Sequence, residues 1–169
     1  GHKYYLNHKA DLIYIKLKKE ISKTEFEALI SSYGTIPADY SFEKNDVRQF
    51  IKLRGDLDNT SINTIVSSLE ANNKVDIASP VFGMRDGYGN SNTLIGCEDN
   101  IILQFKPNFS RQQVDNYLSS KSMTIIKQIE LTGGLSFIVK VPNTPNRTSI
   151  DFANEVYENG VVNYADPGF

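Results

Sequence analysis

Few residues in this 169-residue chain have types and spacings that suit catalysis. Two pairs of glutamates lie close in sequence, Glu25 with Glu27 and Glu155 with Glu158, and paired carboxylates can act as a general acid and a general base. Both pairs fall in amphipathic helical patterns, where they are more typical of solvated helix faces. The sequence also lacks the Gly-x-Ser-x-Gly nucleophile motif and the Walker A motif. We therefore expect no catalytic residues in this chain.

The other reactive groups are isolated. Cys97 is the only cysteine, so no internal disulfide can form, and its polar surroundings in sequence are typical of an incidental thiol. The two histidines, His2 and His8, do not have the spacing of metal ligands. Gly133-Gly134 favours a hairpin turn over a phosphate-binding loop. The sequence therefore predicts no metal site and no cofactor.

Charge and hydropathy exclude two further classes of function. The chain has 18 basic and 20 acidic residues, and both signs are spread along it, so no basic face for nucleic acid is expected. No apolar run approaches the roughly 20 residues that cross a bilayer. With 40% hydrophobic residues, the chain can bury a core as one large domain or two small ones.

The elements that would position a site are encoded twice. Residues 161–169 align without a gap with residues 74–82, and both stretches read as a short strand followed by Ala-x-Pro-x-Phe. Upstream of each stretch the same succession of strand and helix patterns recurs. A repeat with a fixed period predicts one structural unit used twice.

The second copy predicts six elements. An alternating strand at 101–105 is followed by a helix that begins at Ser110 with a capping box. Two strands, at 124–131 and 135–141, flank the Gly133-Gly134 turn, and a helix that opens at Thr148 precedes the last strand. The order is β-α-β-β-α-β.

The first copy predicts the same order less clearly, because its second strand is only weakly periodic. Its elements are a strand, a helix, an edge strand, a strand, a helix and a strand, at 12–18, 22–34, 40–43, 47–54, 60–72 and 75–78.

We therefore predict an α+β fold of two tandem ferredoxin-like (βαββαβ) modules. Two right-handed crossovers place both helices of a module on one face of a four-stranded antiparallel sheet, in the spatial order fourth, first, third, second strand. The first module would span 1–83, with an N-terminal extension at 1–10. A glycine-rich linker that could form a small hairpin would span 84–99, and the second module 100–169.

The sheet face without helices has an apolar centre in both modules. Tyr14 and Phe50 in the first module, and Ile102 and Ile138 in the second, lie on predicted central strands and alternate out of phase with the core. An uncovered sheet face should favour polar residues, so something is expected to cover these. A partner protein is favoured for the second module. Cover by the other module or by the linker hairpin is favoured for the first.

Four stretches of the second module form a recognisable series. They are the strand ending in Lys-Pro at 100–107, the capped helix from Ser110, the Gly133-Gly134 turn into the strand at 136–142, and Tyr-Ala-Asp-Pro-Gly-Phe at 164–169. The series resembles the N-terminal prodomain of subtilisin-like serine proteases. The resemblance covers 100–169 and extends, less specifically, through the repeat to 11–82. A two-module propeptide region is also similar to that of secreted or surface subtilases.

The resemblance implies a non-catalytic chaperone and inhibitor of the catalytic domain that follows it in a serine protease precursor. Such prodomains dock their open sheet face on that domain and extend a C-terminal tail along its substrate cleft. The implied partner-binding residues, on the sheet face and in the tail, are Ile102, Ile138, Tyr164, Ala165, Asp166, Pro167 and Phe169. A secreted or cell-surface location is also implied, with a signal peptide removed before Gly1.

Two other interpretations remain open. One is a tandem ferredoxin-like protein–protein interaction module of a secreted or surface protein that has no protease of its own. The other is a small-molecule regulatory domain of similar topology. For 164–169, the alternative to a docking tail is an ordinary terminal strand. An Asp, His, Ser catalytic series encoded beyond Phe169 would distinguish a prodomain from an interaction module.

Overall fold

A computed structural model describes residues 6–33, 42–53, 55, 57–84, 93–144 and 147–168. Within these ranges the chain forms four helices and two antiparallel four-stranded sheets. The predicted α+β class is therefore confirmed. The chain divides into two compact units, with the boundary between Gly96 and Cys97.

The first unit contains four strands and two helices. In chain order they are β1 (Leu6–Leu17), α1 (Lys23–Ser31), β2 (Arg48–Lys52), α2 (Asn59–Glu70), β3 (Val75–Met84) and β4 (Leu94–Gly96). The sheet order is β2-β1-β3-β4. Alternate residues of β1, including Ile13 and Ile15, pack with Phe26 of α1 and Ile62 of α2 in one buried cluster, so both helices cover the same sheet face.

The weak edge strand predicted at 40–43 is not formed at Phe42 and Glu43, and its first two residues lie outside the described ranges. The buried Gln49 side chain explains the difference. Its amide nitrogen donates to the carbonyls of Glu43 (2.9 Å) and Asp46 (2.7 Å), and its oxygen accepts from the Glu43 N–H (3.0 Å). A side chain thus satisfies the backbone groups of Glu43 that a strand partner would have used.

Part of the predicted linker is a strand of the first sheet. Leu94–Gly96 pair with Val81–Gly83 as β4, and β3 continues past Pro80. This is the small hairpin that the sequence left as an alternative. Glycine fits at position 96 because the ring of Tyr14 occupies the space that a Cβ would need.

The second unit has the predicted order of six elements. They are β5 (Asn100–Phe105), α3 (Arg111–Ser120), β6 (Thr124–Ile129), β7 (Ser136–Lys140), α4 (Ser149–Glu158) and β8 (Val162–Pro167). The sheet order is β6-β7-β5-β8, which is the predicted spatial order with β5 and β7 at the centre. The buried cluster joins Leu103 and Phe137 of the sheet with Val114 of α3 and Val156 of α4, so both helices lie on one face here as well.

The loop between β6 and β7 is longer than the predicted turn. β6 ends at Ile129, and residues 130–135 fold back onto the end of β5. Phe105 N–H donates to Leu135 O (2.8 Å), and the Gln104 side chain donates to Thr132 O (3.0 Å). Gly134 has φ of 154°, and a Cβ there would collide with the Phe105 carbonyl. The glycine is therefore required by a close backbone approach.

Candidate functional site

The centre of the second sheet's face opposite α3 and α4 is a directly opposed pair of isoleucines. Ile102 of β5 and Ile138 of β7 are cross-strand partners, and both are partly buried. Their neighbours along the strands point to the helices and are fully buried, as at Leu103 and Phe137. Successive strand residues point to opposite faces, so the predicted face of Ile102 and Ile138 is the one without helices.

Strand β8 contributes two residues to the same face. Asp166 is the cross-strand partner of Ile102, and Tyr164 is the partner of Gln104. The Tyr164 hydroxyl donates to the Asp166 carboxylate at 2.6 Å, and Tyr164 is 42% exposed. The hydrogen bond holds the aromatic ring at the border of the apolar centre.

The opposite border contains an exposed residue that the sequence did not predict. The register of β6 shifts between Ile125 and Lys127, and Lys127 pairs with Ile138. Such a bulge sets two residues against one, which brings Ile126 next to Lys127 on the same border. Ile126 is 56% exposed, the highest value among the large apolar residues in the described ranges. We call Ile102, Ile126, Ile138, Tyr164 and Asp166 the docking face.

Polar side chains lie on both sides of the docking face along the strands. At one end Lys140 forms an ion pair with Asp99 at 2.6 Å. At the other end Gln104 donates to the hydroxyl of Ser136 at 3.4 Å. An apolar centre with a polar rim is the usual composition of a protein–protein interface.

The tail predicted from Tyr164 onward is not a free peptide up to Gly168. Ala165 is opposite Leu103 and packs against the core of its own unit, and Pro167 is opposite Ile101 on the same side. Gly168 N–H donates to Asn100 O at 2.8 Å, and its carbonyl accepts from Glu98 N–H at 3.0 Å. Backbone pairing and the burial of Ala165 thus make this segment a terminal edge strand. Phe169 lies outside the described residues.

The first unit differs at the corresponding face. Tyr14 and Phe50 are cross-strand partners with ring centroids 5.4 Å apart. Tyr14 is only 3% exposed, and Gly96 of β4 lies against its ring. Strand β4 therefore covers part of this face at Tyr14.

The cysteine and the paired glutamates that the sequence analysis considered for catalysis lie in the following surroundings. Cys97 is 2% exposed, and burial raises the pKa of its thiol to about 12, so it carries almost no thiolate. The Glu155 carboxylate accepts from Lys121 and from Arg147, each at 2.6 Å, and these bonds lower its pKa. Glu25 completes the capping box of helix α1, whose N-cap is Ser22, and its bonds with Ser22 lower its pKa. Glu25 and Glu155 are therefore held by structural hydrogen bonds within their own units.

The described residues lack two features that would point to metal chemistry or to membrane insertion. They contain no group of three or more histidine, cysteine, aspartate or glutamate side chains placed to hold a metal ion. No helix among them has both the length and the apolar character needed to cross a membrane.

Comparison with known proteins gives no relative: no family model matches the chain, and neither a curated protein nor a solved structure matches it.

Proposed function

We propose that this chain is the two-module propeptide region of a subtilisin-like serine protease, and that it assists the folding of the catalytic domain and then inhibits it. It has no catalytic role of its own. The observation that carries the proposal is the docking face, whose apolar centre of Ile102 and Ile138 lies on the two middle strands of a sheet with both helices on the other side. A secreted or surface location belongs to the same proposal.

The topology of the second unit supports assignment to the ferredoxin-like class. Its strand order is β6-β7-β5-β8, all neighbours are antiparallel, and α3 and α4 share one core. This arrangement leaves one sheet face without helices, and the proposal assigns that face to the catalytic domain.

Because β8 pairs with β5 in its own sheet, the proposed mode of inhibition differs from the one that the resemblance implies. Tyr164 and Asp166 would contact the catalytic domain through the sheet face, whereas Ala165 stays in the propeptide core. A peptide that occupies the substrate cleft would start after Gly168, whose N–H and carbonyl are both bonded within its own unit. An extended segment there could add backbone hydrogen bonds like an additional strand.

The test uses purified residues 1–169 and the catalytic domain encoded in the same precursor. We expect inhibition by the unchanged chain and at least about 100-fold weaker inhibition by Ile138→Asp, because an unpaired carboxylate in a dry interface costs several kcal/mol. Ile126→Asp, at a highly exposed site, should weaken inhibition without affecting folding. Tyr157→Asp is the matched control, since Tyr157 is 43% exposed but belongs to helix α4.

The proposal fails if the catalytic domain folds and works equally well with and without the chain. If the gene encodes no Asp, His, Ser catalytic series beyond Phe169, a protein–protein interaction module without its own protease becomes the better assignment. If Tyr157→Asp weakens inhibition as much as the docking-face variants do, the docking face has no specific role in either mechanism.

A further inference from the structure

A cleft rich in lysine lies in the first unit, where β1 ends and β3 begins. It has a volume of about 390 Å³ and is lined by Lys18, Lys19, Ile21, Asn73 and Lys74. We call it the lysine cleft. None of its residues belongs to the docking face, so an inference about it is independent of the proposed inhibitory role.

Backbone hydrogen bonds fix the two turns that form the lysine cleft. Lys18 N–H donates to Lys74 O at 3.0 Å, which joins the end of β1 to the start of β3. Lys74 N–H donates to the Asn72 side chain at 3.0 Å and so shapes the second turn. Ile21 packs against the core of the unit. The cleft thus has an apolar wall of fixed position and lysines on two adjoining turns.

The charges around the cleft are unbalanced. The Lys74 ammonium lies 3.7 Å from a Glu25 carboxylate oxygen, and Lys19 also acts on that carboxylate, since both lysines help to lower the pKa of Glu25. Glu25 is at the same time held by the Ser22 N–H at 3.0 Å. Lys19 and Lys74 thus act on one carboxylate, and Lys18 adds a third lysine to the lining of the cleft. Like charges brought together in this way favour a bound anion.

We propose that the lysine cleft binds a small organic phosphate monoester. Such an ester carries a charge of roughly −1.5 to −2 at neutral pH, which is opposite in sign to the three lysines that line the cleft. Lysine binds phosphate as a point charge, and the Asn73 amide can donate a hydrogen bond to a phosphate oxygen. Ile21 and the methylene stems of the lysines would contact the organic group. The volume lies in the usual range for small-ligand sites.

Nuclear magnetic resonance titration of the whole chain with phenyl phosphate tests the proposal. We expect saturable shifts of the backbone amide signals of Lys18, Lys19, Asn73 and Lys74. Inorganic phosphate should bind several-fold more weakly, because it lacks the apolar group that contacts Ile21. Benzyl alcohol, which has the ring without the charge, should not bind. Equal binding of phenyl phosphate and inorganic phosphate would limit the site to a simple anion and overturn the organic part of the proposal.

Two double variants that lose the same charge distinguish specific binding in the lysine cleft from general electrostatic attraction to the protein. Lys18→Gln with Lys19→Gln should weaken phenyl phosphate binding at least about tenfold. Lys44→Gln with Lys52→Gln removes the same charge from the same unit outside the cleft and should change it less than twofold. Similar weakening by both double variants, or shifts that do not saturate at millimolar ligand, would overturn the proposal. The dispersion of the remaining signals reports whether each variant is folded.

Discussion

Folding strongly changes the acid–base chemistry of Cys97. Burial raises its pKa from 9.0 to about 12, and only the thiolate reacts with disulfide reagents. Near pH 8 we expect the thiol of the folded chain to react at least about 100-fold more slowly than the thiol of the chain unfolded in denaturant. The rate is measured with a chromogenic disulfide. Equal rates in the two states would contradict the burial of Cys97.

The same burial predicts a pH dependence of stability. The folded-state pKa is higher than the unfolded-state value, so the protonated thiol stabilises the fold fully below about pH 9, and this contribution is lost as pH rises towards 12. Cys97→Ala should therefore lose less stability than the unchanged chain over this range. Other groups titrate there too, so the readout is the difference between the two proteins in the free energy of unfolding.

Gly133 and Gly134 offer a matched pair of substitutions. Both have positive φ, 109° and 154°, but a Cβ on Gly134 would collide with the Phe105 carbonyl, whereas one on Gly133 would lie 3.7 Å from the Gln104 side chain. Gly133→Ala should cost about 1 kcal/mol through backbone conformation alone, and Gly134→Ala about 3 kcal/mol or more. Urea denaturation measures both. Equal costs would mean that the loop does not approach β5 closely.

At the scale of elements, α1 and α3 both begin with a predicted capping box, but the two boxes use different side-chain groups. In α1 the Ser22 N–H donates to the Glu25 carboxylate, and in α3 the Ser110 N–H donates to the neutral amide of Gln113. Each serine hydroxyl accepts in return from the N–H three residues on. Protonation can therefore weaken the first box and not the second.

This difference predicts that acid weakens the capping box of α1 and leaves that of α3 unchanged. The pKa of Glu25 is lowered in the folded state, so its contribution is present above its ordinary value of 4.5 and is lost as pH falls through the folded-state value. Ser110→Ala should cost about 1 kcal/mol at neutral pH and at about pH 3. Ser22→Ala should have a similar cost at neutral pH and a smaller one in acid. Equal acid sensitivity of the two variants would show that Glu25 does not complete the box.

The elements that the sequence predicted are those with long periodic patterns. All six elements of the second unit were predicted, because alternation and capping signals coincide there. The three residues of β4 are too few to show a period, and Gln49 replaces a predicted strand by side-chain hydrogen bonding that has no local signal. Ile126 was missed on the docking face because a bulge breaks the alternation on which the prediction depends.

At the scale of the whole molecule, the chain forms two compact units, each with its own core. The lysine cleft was not predicted, because Lys19 and Lys74 are far apart in sequence and meet only through the pairing of β1 with β3. The repeat in the sequence also did not predict one difference between the two sheets. The sheet of the first unit ends in β4 on the side of β3, whereas that of the second ends in β8.

The hydrogen bonds of Gly168 to Glu98 and Asn100 have a mechanical consequence. They bring the start and the end of the second unit side by side, on neighbouring antiparallel strands whose hydrogen bonds run perpendicular to the chain. Tension applied between these two points would therefore unzip the β5–β8 ladder, breaking its hydrogen bonds one after another. It would not load all of these hydrogen bonds together in shear. The force needed to detach β8 from the sheet in this geometry would be lower than the force needed to shear the same two strands apart.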